Sequence, residues 1–497
     1  MDKFSQTKFA KLLGFNAEEK QTNVKTEIVA GLVTFLAMAY ILTVNPDQIL
    51  GFNRADAYWP SVFMATALGA IIGTLLLAFV AKMPLAQASG MGLNSLLGGL
   101  VGAGAVTTYG DQFSLGQAFM LVLISGLVFL ALTLIKINGK TFRELVFDGM
   151  PVPVRSAISV GIGLFIAYIG FQGAKIIVDN PYTLGDLILF SKFDINVANA
   201  LVCFIGLGVI AILDKLNVKG SVIFGILAAT IIGCFVGVTD LSVLAGTQDG
   251  ISWKFWENWA NFFGDKSVFF SFTTVFKNGL LPEGVSVFTV IMLVITMCMI
   301  DMFDTMGTIV GCCGGNRILS DENNKPRNYD KIMIADAVAT CSGAMLGTST
   351  VTTFVESGAG VSAGGRTGLT AFTVACLFFL ATFAMPLFAV IPGAATASAL
   401  VYVGVLMMKN NVKSVDFSDA IGATSAFLTI SVMVLAYSIT KGIGVGLVSY
   451  VLMSTLEYLI KLVKYAIDKK EKPTWNVSVI AIIVTVLFLA YFFVPAV

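Results

Sequence analysis

The stretch Thr348–Ser362, TSTVTTFVESGAGVS, decides how the rest of the chain is read. It is a short polar interruption between long apolar stretches, and it carries an acid, Glu356. A carboxylate at bilayer depth is costly, so it normally faces a cavity and has a function there. Val351-Thr352-Thr353-Phe354-Val355 is β-branched and aromatic, which predicts extended rather than helical backbone, and glycines follow at 358, 360 and 364. Backbone of that kind is tolerated inside a membrane only where it is buried in protein or lines a cavity. Such a break exposes amides and the positive end of a half-helix, both suited to a polar ligand. The competing reading is a structural ion pair between Glu356 and Arg366.

Working outward, the composition agrees with a membrane setting. Of 497 residues 57% are hydrophobic and only 12% charged, with a mean hydropathy of +0.87, whereas soluble domains run to about a quarter charged. The net charge of +1 gives no field that points to nucleic acid or acidic partners. The expectation is an all-α polytopic membrane protein. Histidine is absent, which excludes zincin motifs and Ser-His triads; no catalytic constellation is present, and any proton relay runs through carboxylates. The seven cysteines sit mostly in apolar runs, where cysteine acts as a small hydrophobe. Cys312-Cys313 lacks metal-ligand spacing, so neither a metal nor an organic cofactor is expected. The polar N-terminal stretch lacks a basic-then-apolar signal, so no cleaved leader is expected. A bacterial inner membrane or a plasma membrane is the predicted location.

About twenty apolar residues span a bilayer as a helix. Qualifying windows are 27–44, 59–80, 85–106, 115–135, 154–171, 197–213 and 221–238, then, after a long polar loop, 285–310, 332–346, 351–363, 369–391, 396–408, 421–438 and 443–460. One more, 477–494, is either an extra span or an interfacial helix. Lysine and arginine placement orients the spans. The tail (Lys3, Lys8, Lys11, Lys20, Lys25) and the exits at Lys82, at Lys136, Lys140 and Arg143, at Lys215 and Lys219, at Arg317, Lys325, Arg327 and Lys331, and at Lys461, Lys464, Lys469 and Lys470 all fall on the cytoplasmic side. Loops such as 105–110 and 240–277, poorer in charge or balanced, fall outside.

The signature Ser357-Gly358-Ala359-Gly360 has a twin, Ser89-Gly90-Met91-Gly92, in the third span of the first seven. A second echo pairs Ser156-Ala157 and Val160-Gly161 with Ser398-Ala399 and Val403-Gly404. Seven is odd, so two such halves enter the membrane in opposite senses. Spans 3 and 10 are then broken spans with short extended segments in a 7+7 inverted repeat, which is the sequence pointer to a transporter binding site. Close helix packing is the plainer use of such glycines.

Other candidates cluster around the same chemistry. Asp304 and Asp301, three apart, share a helix face, with Thr305 and Gly307 extending it. Asp304 is the stronger candidate, and Asp301 and Thr305 stand behind it. Asn94, closing Gly90-Met91-Gly92-Leu93-Asn94, offers a donor and an acceptor to a heterocycle edge. Asp336 is a further carboxylate, with Arg366 as an alternative partner. A neutral, flat heterocycle with N–H donors is matched by carboxylate acceptors, and a desolvated acid can also load and release a proton. The paired acids argue against an anionic substrate.

These residues resemble a known family. Phe303-Asp304-Thr305-Met306-Gly307-Thr308, Gly347 to Thr353, Glu356-Ser357-Gly358-Ala359-Gly360-Val361 and Gly364-Gly365-Arg366-Thr367-Gly368-Leu369-Thr370 look like the AzgA-like purine permeases of the nucleobase–cation symporter-2 family, as do Asn45-Pro46 and Gly90 to Asn94. The resemblance covers nearly the whole chain. It implies fourteen spans, with a core domain (27–137 and 285–391) sliding against a gate domain (154–238 and 394–463). A cytoplasmic tail (1–26), an extracellular loop (239–284) and a C-terminal basic linker with the extra apolar segment (464–497) complete the plan. It implies proton-coupled uptake of adenine, guanine or hypoxanthine, often by a dimer. Asp304 and Glu356 would contact the purine and handle the proton, with Asn94, Gly92, Ser357 and Gly358 around it and Asp301, Thr305, Asp336 and Arg366 behind. Other branches place a His where this chain has Thr305. A facilitator without coupling and an anion exchanger of the same fold are the alternatives.

Overall fold

The structure is a computed structural model, and it describes all residues except 1–2, 54–55, 102–112, 138–139, 181–182, 192, 219, 246–250, 265–266, 283, 314–316, 321–325, 416, 469–473, 476 and 494–497. The expectations for the 105–110 loop and for Lys219, Lys325, Lys469 and Lys470 fall outside the described residues, as does the packing expected at Gly307.

The chain is mostly helical. In order, the elements used below are α1 Val24–Met38, α2 Ile41–Ile49, α3 Trp59–Leu76, β1 Gln87–Ser89, α4 Met91–Leu100, α5 Leu115–Leu134, α6 Phe142–Gly149, α7 Val152–Gly173, α8 Ile195–Lys215 and α9 Ser221–Phe235. Then come α10 Val287–Cys313, α11 Tyr329–Leu346, β2 Val351–Thr353, α12 Ser357–Ser362, α13 Gly368–Ala381, α14 Gly393–Asn411, α15 Ala420–Leu435, α16 Ile439–Asp468 and α17 Val479–Phe493. Among the described residues, eight helical stretches are long and apolar enough to cross a membrane, and Ser221–Phe235, Gly393–Lys409, Ala420–Leu435 and Val479–Phe493 are shorter apolar helices.

Local chemistry sets the ends of these helices. Asn23 caps α1 by accepting from the Thr26 N–H, and Ser114 and Gln117 close a capping box on α5, each satisfying amides that a helix start leaves open. Gly347 ends α11 at φ 93°, a left-handed cap that glycine adopts without strain. It turns the chain directly into Thr348 and β2.

Packing gathers the helices into two groups. In one, α3 lies against α11 and α13, α1 against α12 and α13, and α5 against α10 and α11; in the other, α7 lies along α14 and α15, with α8 and α9 beside α14. Of the second echo, Gly161 faces Met433 and Ile430 of α15, while Gly404 sits on the α7–α14 contact, where a Cβ would fall 2.4 Å from the Gly163 carbonyl oxygen. Two backbones therefore meet where any side chain would separate them, the use of small residues in membrane helix packing. Gly404→Val is expected to cost about 1–3 kcal/mol or more through overpacking, read as a lower melting temperature and less monodisperse protein on gel filtration. The apolar C-terminal window forms α17, which packs on α16 with Phe488 fully buried.

Candidate substrate site

The centre of the first group is a pair of strands. β1 and β2 run antiparallel, with Gln87 opposite Thr353, Ala88 opposite Thr352 and Ser89 opposite Val351. Gly90 N–H donates to Thr350 O at 2.9 Å and Phe354 N–H to Ala86 O at 3.0 Å, which extends the ladder at both ends. Backbone that cannot bond to lipid is in this way satisfied within the protein. Because the strands are antiparallel, α4 and α12 leave them in opposite directions, with both helix starts near the pair.

Glu356 stands between β2 and α12 and is 8% exposed. The hydroxyl of Tyr40 donates to its Oε1 at 2.5 Å. Its Oε2 is buried with no hydrogen-bond partner among the described residues, which leaves an acceptor free to a ligand. Tyr40 lies in the turn that joins α1 to α2, so the break between these helices is what aims the phenol at the acid. Asp304, half-buried on α10, is near enough for its charge to act on both Glu356 and Tyr40. The Ser357, Gly358 and Ala359 amides are taken up within the turn by the carbonyls of Phe354, Val355 and Glu356. The Ser357 hydroxyl accepts from the Ala86 N–H at 3.0 Å and so ties α12 to the segment before β1. A Cβ at Gly360 would sit 2.0 Å from Thr34 Oγ1, so α12 lies directly on α1.

Asn94 is buried within a polar chain. Its Nδ2 donates to Gln48 Oε1 at 3.3 Å, and its Oδ1 accepts from the Ser349 hydroxyl. Beside it, Asn45 Nδ2 reaches Thr66, Ser89 and Thr348 at 2.7, 3.1 and 2.8 Å. These side chains join the two extended segments to α2 and α3. Gly92 faces Ile162 of α7 and Ile300 of α10, 3.2 and 3.5 Å from where a Cβ would stand. A cavity of about 1340 Å³ reaches Gln48 and Ser95, whose side chains meet at 2.8 Å, and also Phe52, Trp59 and Tyr437. Neither Glu356 nor Asp304 lines it.

The remaining candidates divide between two places. Arg366 pairs with neither carboxylate considered for it. Its guanidinium donates to the Val361 and Gly365 carbonyls at the end of α12, while Glu27 accepts from the Arg366 and Thr367 amides ahead of α13. Asp336 has Arg143 as its cation, at 3.7 Å, and also accepts from Thr305 Oγ1 at 2.9 Å and Gln87 Nε2 at 3.2 Å. Asp301 Oδ2 accepts from Thr340 at 3.3 Å. Arg143 was expected in a cytoplasmic loop, yet it is 1% exposed. The hairpin of Lys136–Ile137 with Lys140–Thr141 folds the chain back so that α6 carries the arginine inward.

Sequence reasoning missed Tyr40, Arg143 and Gln87. Gln87 borders a break already identified, which was its available signal; Tyr40 lies inside the window 27–44, read as one continuous span, and nothing in the sequence marked the turn that carries it. Arg143 had only its apolar neighbours, Phe142, Leu145 and Val146.

A mostly helical polytopic chain, with acids buried beside paired, non-helical backbone, has the architecture of a membrane transporter. The chain belongs to the Xan_ur_permease family, a permease family whose model matches residues 25–445; it is a transporter rather than an enzyme, multi-pass in the cell membrane. It is 35% identical over 445 residues to the guanine/hypoxanthine permease PbuO of Bacillus subtilis, covering 88% of this chain and 93% of that protein. It is 33% identical over 439 residues to the adenine permease AdeP of Escherichia coli, covering 88% and 89%. Among solved structures it resembles the transmembrane domain of a cyanobacterium bicarbonate transporter, BicA, with a TM-score of 0.58 at 15% identity, over 87% of this chain and 98% of that one. At that identity the likeness shows the fold alone.

Proposed function

We propose that this permease takes up purine nucleobases (adenine, guanine or hypoxanthine) together with protons, by alternating access. The observation that carries the reading is Glu356: a carboxylate inside a membrane protein, fixed on one oxygen by Tyr40 and open on the other. Purines present N–H donors on a flat edge, and a desolvated carboxylate accepts such bonds strongly. Asp304 on α10 supplies a second acceptor and, being partly exposed, is the acid of the site that exchanges a proton with solvent. Asn94 supports the ligand from the first half through Ser349. Gly92 lets the start of α4 lie close to Ile162 and Ile300, and Ser357 and Gly358 fix the turn that carries Glu356. Thr305 and Asp336 brace α10, Asp301 lies behind them, and Arg366 holds the end of α12. Fourteen crossings arranged as a 7+7 inverted repeat, with spans 3 and 10 interrupted at β1 and β2, fit this mechanism, the α1–α5 and α10–α13 group moving against the α7–α9 and α14–α16 group. The family resemblance is the ground for proposing a homodimer.

The test is uptake of radiolabelled adenine, guanine and hypoxanthine in permease-deficient cells, with and without a protonophore. Saturable accumulation that collapses with the protonophore is expected. Uptake that only follows the purine gradient would replace coupling by facilitation, and sulfate or bicarbonate flux without purine flux would overturn the substrate class. Tyr40→Phe removes one hydrogen bond to a charged acceptor, worth about 1.5–3 kcal/mol; KM for the transported purine is expected to rise about tenfold or more, with the amount of protein in the membrane unchanged on immunoblot.

A further inference from the structure

Arg143, Asp336 and Asp301 are 1%, 0% and 2% exposed, and they form a cluster behind the purine site that supplies no contact to the ligand. One carboxyl, Asp336, pairs with the guanidinium, and the charge of the second, Asp301, acts on it. Arg143 Nη1 donates to Thr133 Oγ1 at 3.1 Å and Met333 O at 3.3 Å, and its Cζ lies 3.3 Å from the centre of the Phe129 ring. Its Nη2 is 3.7 Å from Asp336 Oδ2, close enough for an ion pair and too long for a hydrogen bond. Asp301 Oδ1 is buried with no hydrogen-bond partner among the described residues. The other titratable groups acting on the cluster are Asp304 and Cys298 on α10, and Tyr329 and Cys341 on α11. Among the groups acting on the two carboxyls, Arg143 is the single cation.

With both carboxyls ionised the cluster carries one uncompensated negative charge away from water, which is unfavourable. One proton neutralises it: a carboxylate plus a proton becomes a carboxylic acid, the other carboxylate keeps the guanidinium, and the unbonded Oδ1 of Asp301 is the oxygen that takes the added hydrogen. The cluster also touches both strands. Asp336 accepts from Gln87, the Gln87 amide also donates to Thr353 Oγ1 at 3.3 Å, and the Thr340 hydroxyl that serves Asp301 lies 3.4 Å from Val351 O. Thr305, bonded to Asp336, adjoins Asp304.

We infer that Arg143, Asp336 and Asp301 form a proton-binding site distinct from the purine pocket, in which the two carboxyls share one exchangeable proton and its presence sets the β1–β2 pair that carries Glu356. This rests on the proton-coupled reading above. The test uses purified protein in proteoliposomes with radiolabelled adenine, guanine and hypoxanthine, comparing accumulation driven by an imposed pH gradient with purine counterflow in its absence. Asp301→Asn is expected to lose gradient-driven accumulation by about tenfold or more while counterflow stays within about twofold of wild type, and Asp301→Glu is expected to recover accumulation. Gradient-driven accumulation by Asp301→Asn at the wild-type level overturns the site, and so does equal loss of both fluxes by protein that elutes as a folded peak. Should the variant not fold, infrared titration of purine-free Asp304→Asn/Glu356→Gln protein decides: a pH-dependent carboxylic-acid carbonyl band that is lost on adding Asp336→Asn supports the site, and no band sensitive to that substitution overturns it. A wild-type protein that ignores the pH gradient overturns the coupled reading itself, and this site with it.

Discussion

Glu356→Gln is expected to reduce purine uptake by about a hundredfold in kcat/KM, the effect of losing charge-assisted hydrogen bonds worth about 1.5–3 kcal/mol each. The substitution keeps the size and the carbonyl acceptor, so Tyr40 retains a partner for its hydroxyl. What changes is the second position. The open Oε2 becomes, in one amide orientation, an NH₂ donor that meets a purine N–H donor to donor. In the other orientation Tyr40 faces that donor instead. Either way one of the two contacts of Glu356 is lost, and the acceptor that remains is neutral. The protein should reach the membrane in wild-type amount, since Glu356 makes no salt bridge among the described residues. Uptake of labelled adenine, guanine and hypoxanthine, normalised to immunoblot, measures the effect. Full uptake by both Glu356→Gln and Asp304→Asn would dismiss the site assignment.

Glu356 was legible because a membrane imposes a rule that sequence alone can apply: polar groups at depth require a reason. The same rule picked out Asp304, and β-branched residues beside glycines marked the extended segment realised as β2. The repeated Ser-Gly-x-Gly located the matching segment near β1, although nothing in the spacing says that Gln87 to Ser89 pair with Thr353 to Val351. Contacts between residues hundreds of positions apart lie beyond any local pattern. Tyr40 and Glu356 are 316 positions apart and Asn45 and Thr348 are 303 apart. Arg143 shows a different failure. The count of lysines and arginines near helix ends treats every charge there as solvated, so an arginine folded back beneath a hairpin is misread in the same step that orients the spans. Asp336 stood as a candidate carboxylate with Arg366 as an alternative partner; Arg366 instead ends α12 through its carbonyls, and the cation beside Asp336 is Arg143.

Arg143→Met carries the largest expected effect on stability. The methionine preserves much of the aliphatic stem and its contact with Phe129, so the loss is chiefly electrostatic. Asp336 Oδ2 and Asp301 Oδ1, both without hydrogen-bond partners among the described residues, would lose the cation that compensates them. Removing one partner of a buried pair typically costs about 3–5 kcal/mol, because the other charge stays buried. The protein can lower that cost by keeping protons on both acids. The loss of melting temperature in Arg143→Met should therefore be greater at alkaline pH, where holding those protons is harder. Adding Asp336→Asn removes one of the stranded charges and keeps the acceptor for Gln87 and Thr305, so the double variant is expected to recover part of the loss. The coupling between two contacting buried groups should then be about 0.5–3 kcal/mol, measured as the departure from additivity in a thermal-denaturation cycle of purified protein. Additive losses would mean that Arg143 serves the fold through Thr133, Met333 and Phe129 alone, and that the ion pair contributes nothing measurable.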